Sequence, residues 1–336
     1  MSRTVTVLAA ACATLLLTLR AGAIPLPALN LSELTRSSDL IAVGVVTSIV
    51  EGGPSTFDFR GGTVAARRMT ATLRLRRVLK GHLNVSQIAF TFYVPQEFLA
   101  FRDISTGQFG MFFLREKPHE QLTVADPYYP FLAAARKAPT FQGNALDRVI
   151  SEIVQILAST GATEAEQTEA VGALDTIRNR ASTAGLRLAA SSSYITVRLL
   201  AISRLLLRND VSELQTAENI LVSPPPNVEP YLLKELSYGL QGLKDPAAVP
   251  VLLRLLTKGV PLSRAQAALS LGEIGDSVAV GPLLKALDDD DRMVRYHAVL
   301  ALGKITQQWE WAPSISLFES AEDRFVTHWK EWGRTR

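Results

Sequence analysis

An internal duplication near the C-terminus limits this chain more than any other feature. Asp245 to Gly275 (DPAAVPVLLRLLTKGVPLSRAQAALSLGEIG) aligns without a gap on Asp276 to Thr306 (DSVAVGPLLKALDDDDRMVRYHAVLALGKIT). The pairs Val249/Val280, Leu252/Leu283, Leu256/Leu287, Arg264/Arg295, Ala267/Ala298, Leu271/Leu302, Gly272/Gly303 and Ile274/Ile305 are identical. A block this short cannot bury its apolar face alone, so a tandem copy means a stacked array. Such arrays present surfaces more often than reaction centres.

Each unit divides into two helices. Val249, Leu252, Leu253 and Leu256 fall at i, i+3, i+4 and i+7, one helical face, and Val280, Leu283, Leu284 and Leu287 repeat it. In the second half Ala267, Leu271 and Ile274 form one stripe and Leu262 with Leu269 another; Ala298, Leu302 and Ile305, beside Met293 and Leu300, do the same. This predicts second helices buried on two sides, as stacking requires. Gly259 suits a helix stop and Pro261 a helix start. Asp288 to Asp291 form the other turn. They lack the alternating ligands, central Gly and final Glu of a calcium loop, so they are read as capping acids for the helix that follows.

The string DDDDRMVRYHAVLALGKI resembles the HEAT-like repeat first associated with phycobilisome lyases, with its acidic turn, its Val-Arg and its closing Ala-Leu-Gly-x-Ile. The resemblance implies an all-α HEAT-like solenoid. It also implies structural contacts along the stack for Asp291 with Arg295 and for Arg264. Arg264 has Val260 where Arg295 has Asp291, leaving two fates open to it: the Asp276 turn next door, or a groove where it could meet a ligand carboxylate. Bilin lyase activity does not follow, because repeats are shared more widely than activities.

Residues 1–23 read as a secretory leader: Arg3, an apolar run to Leu19, then Ala21-Gly22-Ala23 before Ile24. The run is short for a membrane span. Cys12, after three alanines, opens a lipoprotein alternative, weaker because apolar sequence continues beyond it. Cys12 is the sole cysteine, so a mature chain contains none, which excludes thiol catalysis, disulfides and Cys-ligated zinc. The expected localisation is secreted or periplasmic, and export argues against nucleic acid as partner.

Over 24–137 the period changes to two. SDLIAVGVVTSIVEG opens the region, Met69, Ala71, Leu73 and Leu75 alternate with polar residues, and QIAFTFYV, GQFGMFFLRE and EQLTVAD follow. Five strands with Gly-rich joints predict a small antiparallel barrel or sandwich. The order resembles a module of secreted bacterial proteins and OB or netrin-like barrels; netrin-like inhibitors use an N-terminal cysteine that is absent here, so inhibition is not implied. The fold class is therefore α+β multidomain, a β-barrel-like domain followed over 144–336 by the solenoid. Earlier helices are expected at 146–157, 164–181, 194–207 and 211–221, with SPPPN (223–227) as a turn between repeats. A terminal cap over 320–334 carries Phe325, Trp329 and Trp332 on one stripe.

Catalytic signatures are absent: no HExxH, no phosphate-binding loop, no G-x-S-x-G, no dinucleotide fingerprint. His82, His119, His297 and His328 are scattered. His119-Glu120 invites comparison with the di-iron deoxyhypusine hydroxylases, but one pair cannot hold two irons. Hence no catalytic residue, metal or cofactor is expected. Residues 24–143 hold 13 basic against 9 acidic side chains and 144–336 hold 20 against 23. Arg68, Arg74 and Arg76 share one strand face and could meet an anionic glycan or lipid head group, or be merely solvated. Tyr128, Tyr129, Phe131, Phe57 and Phe59 either lid the barrel or bind. The preferred function is a non-enzymatic scaffold receiving a protein or peptide on the second helices, through Arg264, Ser270, Glu273, Arg292, Tyr296 and Lys304. An envelope enzyme or glycan binder acting through the β-domain, and a structural assembly part, are the alternatives.

Overall fold

The computed structural model describes residues 28–59, 62–96, 101–117 and 122–335, the side chains of 58 and 59 excepted. The leader with its cleavage site, Cys12 and the His119-Glu120 pair lie outside the described residues. The chain separates into two compact units, one formed by residues up to Ala134 with Asn144–Leu146, the other by Ala135–Gly143 and the residues from Asp147 onward.

The first unit opens with α1 (Leu31–Ser37), whose N-cap Asn30 accepts from the Glu33 N–H. Its last carbonyls are satisfied by cations: Lys80 Nζ donates to Thr35 and Arg36 oxygens at 2.9 and 3.0 Å, and Arg115 Nε to Ser37 O at 3.2 Å. Six strands follow: β1 (Leu40–Phe59), β2 (Gly62–Lys80), β3 (Gln87–Pro95), β4 (Phe109–Arg115), β5 (Leu122–Val124) and β6 (Phe131–Leu132). They form one sheet in the order β1-β2-β3-β5-β4-β6, and β1 also pairs with β4, Leu40 opposite Leu114 through Val45 opposite Phe109. The ladder β1-β2-β3-β5-β4 therefore returns to β1. The expected all-antiparallel arrangement is corrected at one place, because β3 and β5 run parallel through Phe90–Leu122 and Thr91–Thr123.

Strand alternation predicts the sheet core. Ala71 and Leu73 point inward with Ala42, Val46, Phe90, Phe92, Phe112 and Leu114. The segment EGGPSTFDFRGG, read as a Gly-rich joint, instead continues both strands, with Phe57 opposite Val64. A register shift between Glu51 and Pro54 absorbs the two glycines, Gly53 having φ 90°.

The second unit is helical: α2 (Ala145–Leu157), α3 (Glu164–Asp175), α4 (Arg180–Ala189), α5 (Ile195–Leu206), α6 (Leu214–Val222), α7 (Pro230–Gly239), α8 (Val249–Lys258), α9 (Pro261–Ile274), α10 (Val280–Ala286), α11 (Arg292–Ile305) and α12 (Ile315–Arg334). The stretch expected as one helix over 164–181 is two. The α3 helix starts in a Thr163/Glu166 capping box and stops at Thr176, and Asn179 caps a fresh start at α4. Helices α3, α5, α7, α9 and α11 pack in succession as one layer, and α6, α8, α10 and α12 as another. Asp210, Asp245 and Asp276 each accept a backbone N–H two residues on and open a short 3₁₀ turn before α6, α8 and α10. The repeat thus begins one unit earlier than the identical block, at Asp210. SPPPN joins α6 to α7 inside that unit, correcting its reading as a turn between repeats.

The second helix α9 buries mostly small residues, with Gln266 and Leu271 among them, rather than two apolar stripes. In α9 these are Ser263, Ala265, Gln266, Ala267, Ala268, Ser270, Leu271 and Gly272, while Leu262 and Leu269 stay half-exposed. The cause is a close approach. A Cβ on Gly272 would sit 2.7 Å from Ala301 Cα and 2.8 Å from Ala301 Cβ on α11. Gly272→Ala should therefore destabilise by about 1–3 kcal/mol, even though alanine gains about 1 kcal/mol in helix propensity. Gly281→Ala, with nothing within 4 Å of the new Cβ, is the control and should be neutral or stabilising. Denaturant melts in which both behave alike would exclude the close crossing.

Candidate interaction surface

The two matched helices α9 and α11 set the geometry. Residues 31 apart lie side by side, as the ion pair between Glu273 and Lys304 at 2.5 Å demonstrates. Both side chains remain about one third exposed. Following that register back along each helix at i, i+4, i+7 and i+11 gives Leu262, Gln266, Leu269 and Glu273 on α9 and Met293, His297, Leu300 and Lys304 on α11. On α7 the same positions hold Tyr231, Glu235 and Tyr238, the fourth falling on Gly242 in the 3₁₀ turn that follows. Tyr231, Tyr238 and Met293 are exposed at 53, 36 and 41% and Leu262, Leu269 and Leu300 are half-exposed. Three adjacent helices thus offer a stripe of large apolar side chains, bordered by Glu273 and Lys304.

Within this stripe Gln266 Oε1 and His297 Nδ1 are buried without a hydrogen-bond partner. Burial pushes the His297 imidazole below its ordinary range. Sequence reasoning places His297 on the surface or in the groove of a repeat helix and does not single out Gln266. The signal available was their equivalence in the aligned block, since a Gln and a His at one repeat position are an unusual interruption of an apolar stripe.

Of the residues expected to receive a partner, Glu273 and Lys304 lie on the exposed border and Arg292 is half-exposed while bonded to Glu322 at 2.8 Å. Three need correction. Ser270 is fully buried, its Oγ donating to Leu240 O at 2.7 Å, because the hydroxyl bridges successive second helices. Tyr296 is 9% exposed, with its hydroxyl directed at Pro313 O (3.3 Å) and its ring 5.2 Å from Phe318. Arg264 took neither open fate. It grips Asp289 of the following turn by two hydrogen bonds, 2.8 and 2.7 Å, and donates back to Gly259 O at 3.1 Å. Burial tends to raise the Asp289 carboxyl, and the bonds from Arg264 and the Asp291 N–H outweigh it, holding it below the usual carboxylate range.

Asp291 and Arg295 do not pair with one another. Asp291 caps α11, accepting from the Met293 and Val294 N–H groups at 2.8 and 3.2 Å. Arg295 repeats the Arg264 pattern instead: it donates back to Asp290 O (3.1 Å) and Asp289 O (2.6 Å), and forward to Glu322 on α12 (2.6 Å). Three acids of the DDDD run thus serve the stack: Asp288 pairs with Lys330, Asp289 with Arg264, and Asp291 caps α11.

On the sheet, Arg68, Arg74 and Arg76 are exposed beside half-buried Thr70 and Thr72. Neighbouring cations are committed: Arg67 to Glu51 at 3.2 Å, and Lys80 to the end of α1. Tyr128 and Phe131 are buried, and Phe57 stacks on Tyr93 with centroids 5.2 Å apart. Packing accounts for these aromatics. Among the described residues no group of three His, Cys, Asp or Glu could hold a metal ion, and no helix is long and apolar enough to cross a membrane.

The family model described as HEAT repeats matches residues 214–303 and, in a second register, 261–321. The C-terminal helical region carries HEAT-like repeats. The first match begins at Leu214, the start of α6, the same unit that Asp210 opens. HEAT-like repeats generally mediate protein interactions, and the apolar stripe across α7, α9 and α11 is one exposed surface of the matched region. No curated protein matches the chain.

Proposed function

We propose that this chain is an exported, non-enzymatic scaffold whose HEAT-like repeats hold a protein or peptide on the stripe across α7, α9 and α11. The observation that carries this reading is the repetition of exposed or half-exposed large apolar side chains at equivalent positions on three successive helices: Tyr231 and Tyr238, Leu262 and Leu269, Met293 and Leu300. Contiguous apolar exposure rimmed by charge is a feature of binding surfaces. In the same reading the N-terminal unit is a small OB-like barrel, a view supported by the return of its strand ladder to β1 and the parallel β3–β5 pair. Export rests on the leader-like composition of residues 1–23.

A photocrosslinking residue at Leu269 or Met293 should capture one and the same protein, and one at Val85, in the exposed loop between β2 and β3 of the sheet unit, should not. Leu269→Glu with Leu300→Glu should weaken that complex at least about tenfold, or about 1.4 kcal/mol, with the melting midpoint kept. Capture from Val85 alone, undisturbed by the double change, would move the binding function to the sheet.

A further inference from the structure

The terminal cap contains a titratable ring in an unusual setting. His328 on α12 lies flat on Trp311, centroids 3.5 Å apart and planes 4° apart, and its Nε2 is buried with no hydrogen-bond partner. Trp311 belongs to the 3₁₀ turn Trp309–Trp311, and its carbonyl accepts from Trp329 Nε1 at 3.3 Å. The turn is thus held to α12 by the stack, by that hydrogen bond and by an edge contact of Trp311 on Phe325, centroids 6.0 Å apart. Trp329, Phe325 and Phe318, which close the end of the array, are fully buried behind it.

We propose that the His328–Trp311 stack is an acid-sensitive latch on the terminal cap, closed when the imidazole is neutral and released when it takes a proton. A neutral imidazole can leave Nε2 as a bare acceptor, whereas protonation makes it a donor with nothing to receive it. The charged groups around it divide. Glu310 from the 3₁₀ turn and Glu331 on α12 favour the proton, and burial outweighs them, holding the imidazole below its ordinary value of 6.5. Arg324 stands 5.4 Å from the Trp311 ring centroid. From α10 and α11 come Asp288, paired with Lys330, and Arg292 and Arg295, both paired with Glu322. Asp288 and Lys330 cancel, whereas Arg292 and Arg295 share the single Glu322 carboxylate and leave one positive charge, which also disfavours a proton on the ring.

The sign follows from the lowered value. The unfolded chain binds the proton more readily, so the stabilisation is fully present above 6.5 and is lost as pH falls below it through the folded-state value. Acidification should loosen Trp309–Trp311 and the end of α12 while leaving the sheet unit alone.

Hydrogen exchange on the full chain at pH 7.5 and 5.5, corrected for the intrinsic pH dependence of exchange, tests this. Protection across 309–334 should fall at the lower pH, by up to about tenfold, and be retained by His328→Phe, which keeps a stacking ring but cannot be protonated. His297→Gln should leave the acid response in place, which separates the two imidazoles. Equal loss in wild type and His328→Phe overturns the latch. Should the Phe variant not fold, the ring titration of His328 in the wild-type chain decides: a midpoint below 6.5 supports the latch and one at or above it rejects it.

Discussion

Trp329→Ala should be the most damaging single truncation in the helical unit, costing about 3–5 kcal/mol. The indole is fully buried, sits 5.2 and 5.3 Å from the His328 and Trp332 rings, and donates to the Trp311 carbonyl. Removing it leaves a cavity at the terminal cap and frees a carbonyl. Stability in a repeat array is a sum of unit and nearest-neighbour terms. The loss should therefore stay local, with α10, α11 and α12 melting ahead of α5 to α9 and the sheet unit keeping its own transition. A calorimetric trace that keeps one unshifted transition would rule out this role for α12.

Leu271→Ala and Leu302→Ala come next, at about 2–5 kcal/mol each. Both leucines are fully buried at equivalent positions of α9 and α11, one residue from the small-residue crossing where the helices lie too close to relax into a void. Ser270→Ala belongs in the same series. Sequence reasoning places it on the surface with an effect within about 0.5 kcal/mol, but its buried bond to Leu240 O raises the expected cost to about 1 kcal/mol or more. Equilibrium urea melts of the three variants check the order, and a Ser270→Ala midpoint indistinguishable from wild type would return that hydroxyl to solvent.

The difference at Ser270 shows where a sequence stops being informative. The duplication, the helix pair and the aromatic cap were legible because each rests on a period that any observer of the string can count. The strand alternation over 69–75 was legible for the same reason. Ser270 and Tyr296 were not, because a hydroxyl reads as exposed until the neighbouring helix supplies its acceptor, here Leu240 O and Pro313 O. Leu262 and Leu269 failed in the opposite direction. They look like core, yet close packing through Gly272 selects small residues for the crossing and leaves the large ones outside. Arg264 and Arg295 align perfectly, but their acids sit one unit downstream, beyond any local pattern. The SPPPN segment is read correctly as a breaker, and its place inside a repeat follows only once Asp210 is matched to Asp245 and Asp276.

The two arginine grips give the array a direction of growth. Each Arg reaches forward, so a duplicated unit is tolerated only if it offers an acid where its predecessor's Arg arrives. A second copy of residues 276–306 inserted after Thr306 would meet that condition, since the Arg295 of the first copy would face the Asp289 of the second and the last Arg295 would still face Glu322. A second copy of residues 245–275 would not, because the position equivalent to Asp289 is Lys258, which would set cation against cation. Tandem duplication should therefore be tolerated for the unit 276–306 and disfavoured for the unit 245–275 before it.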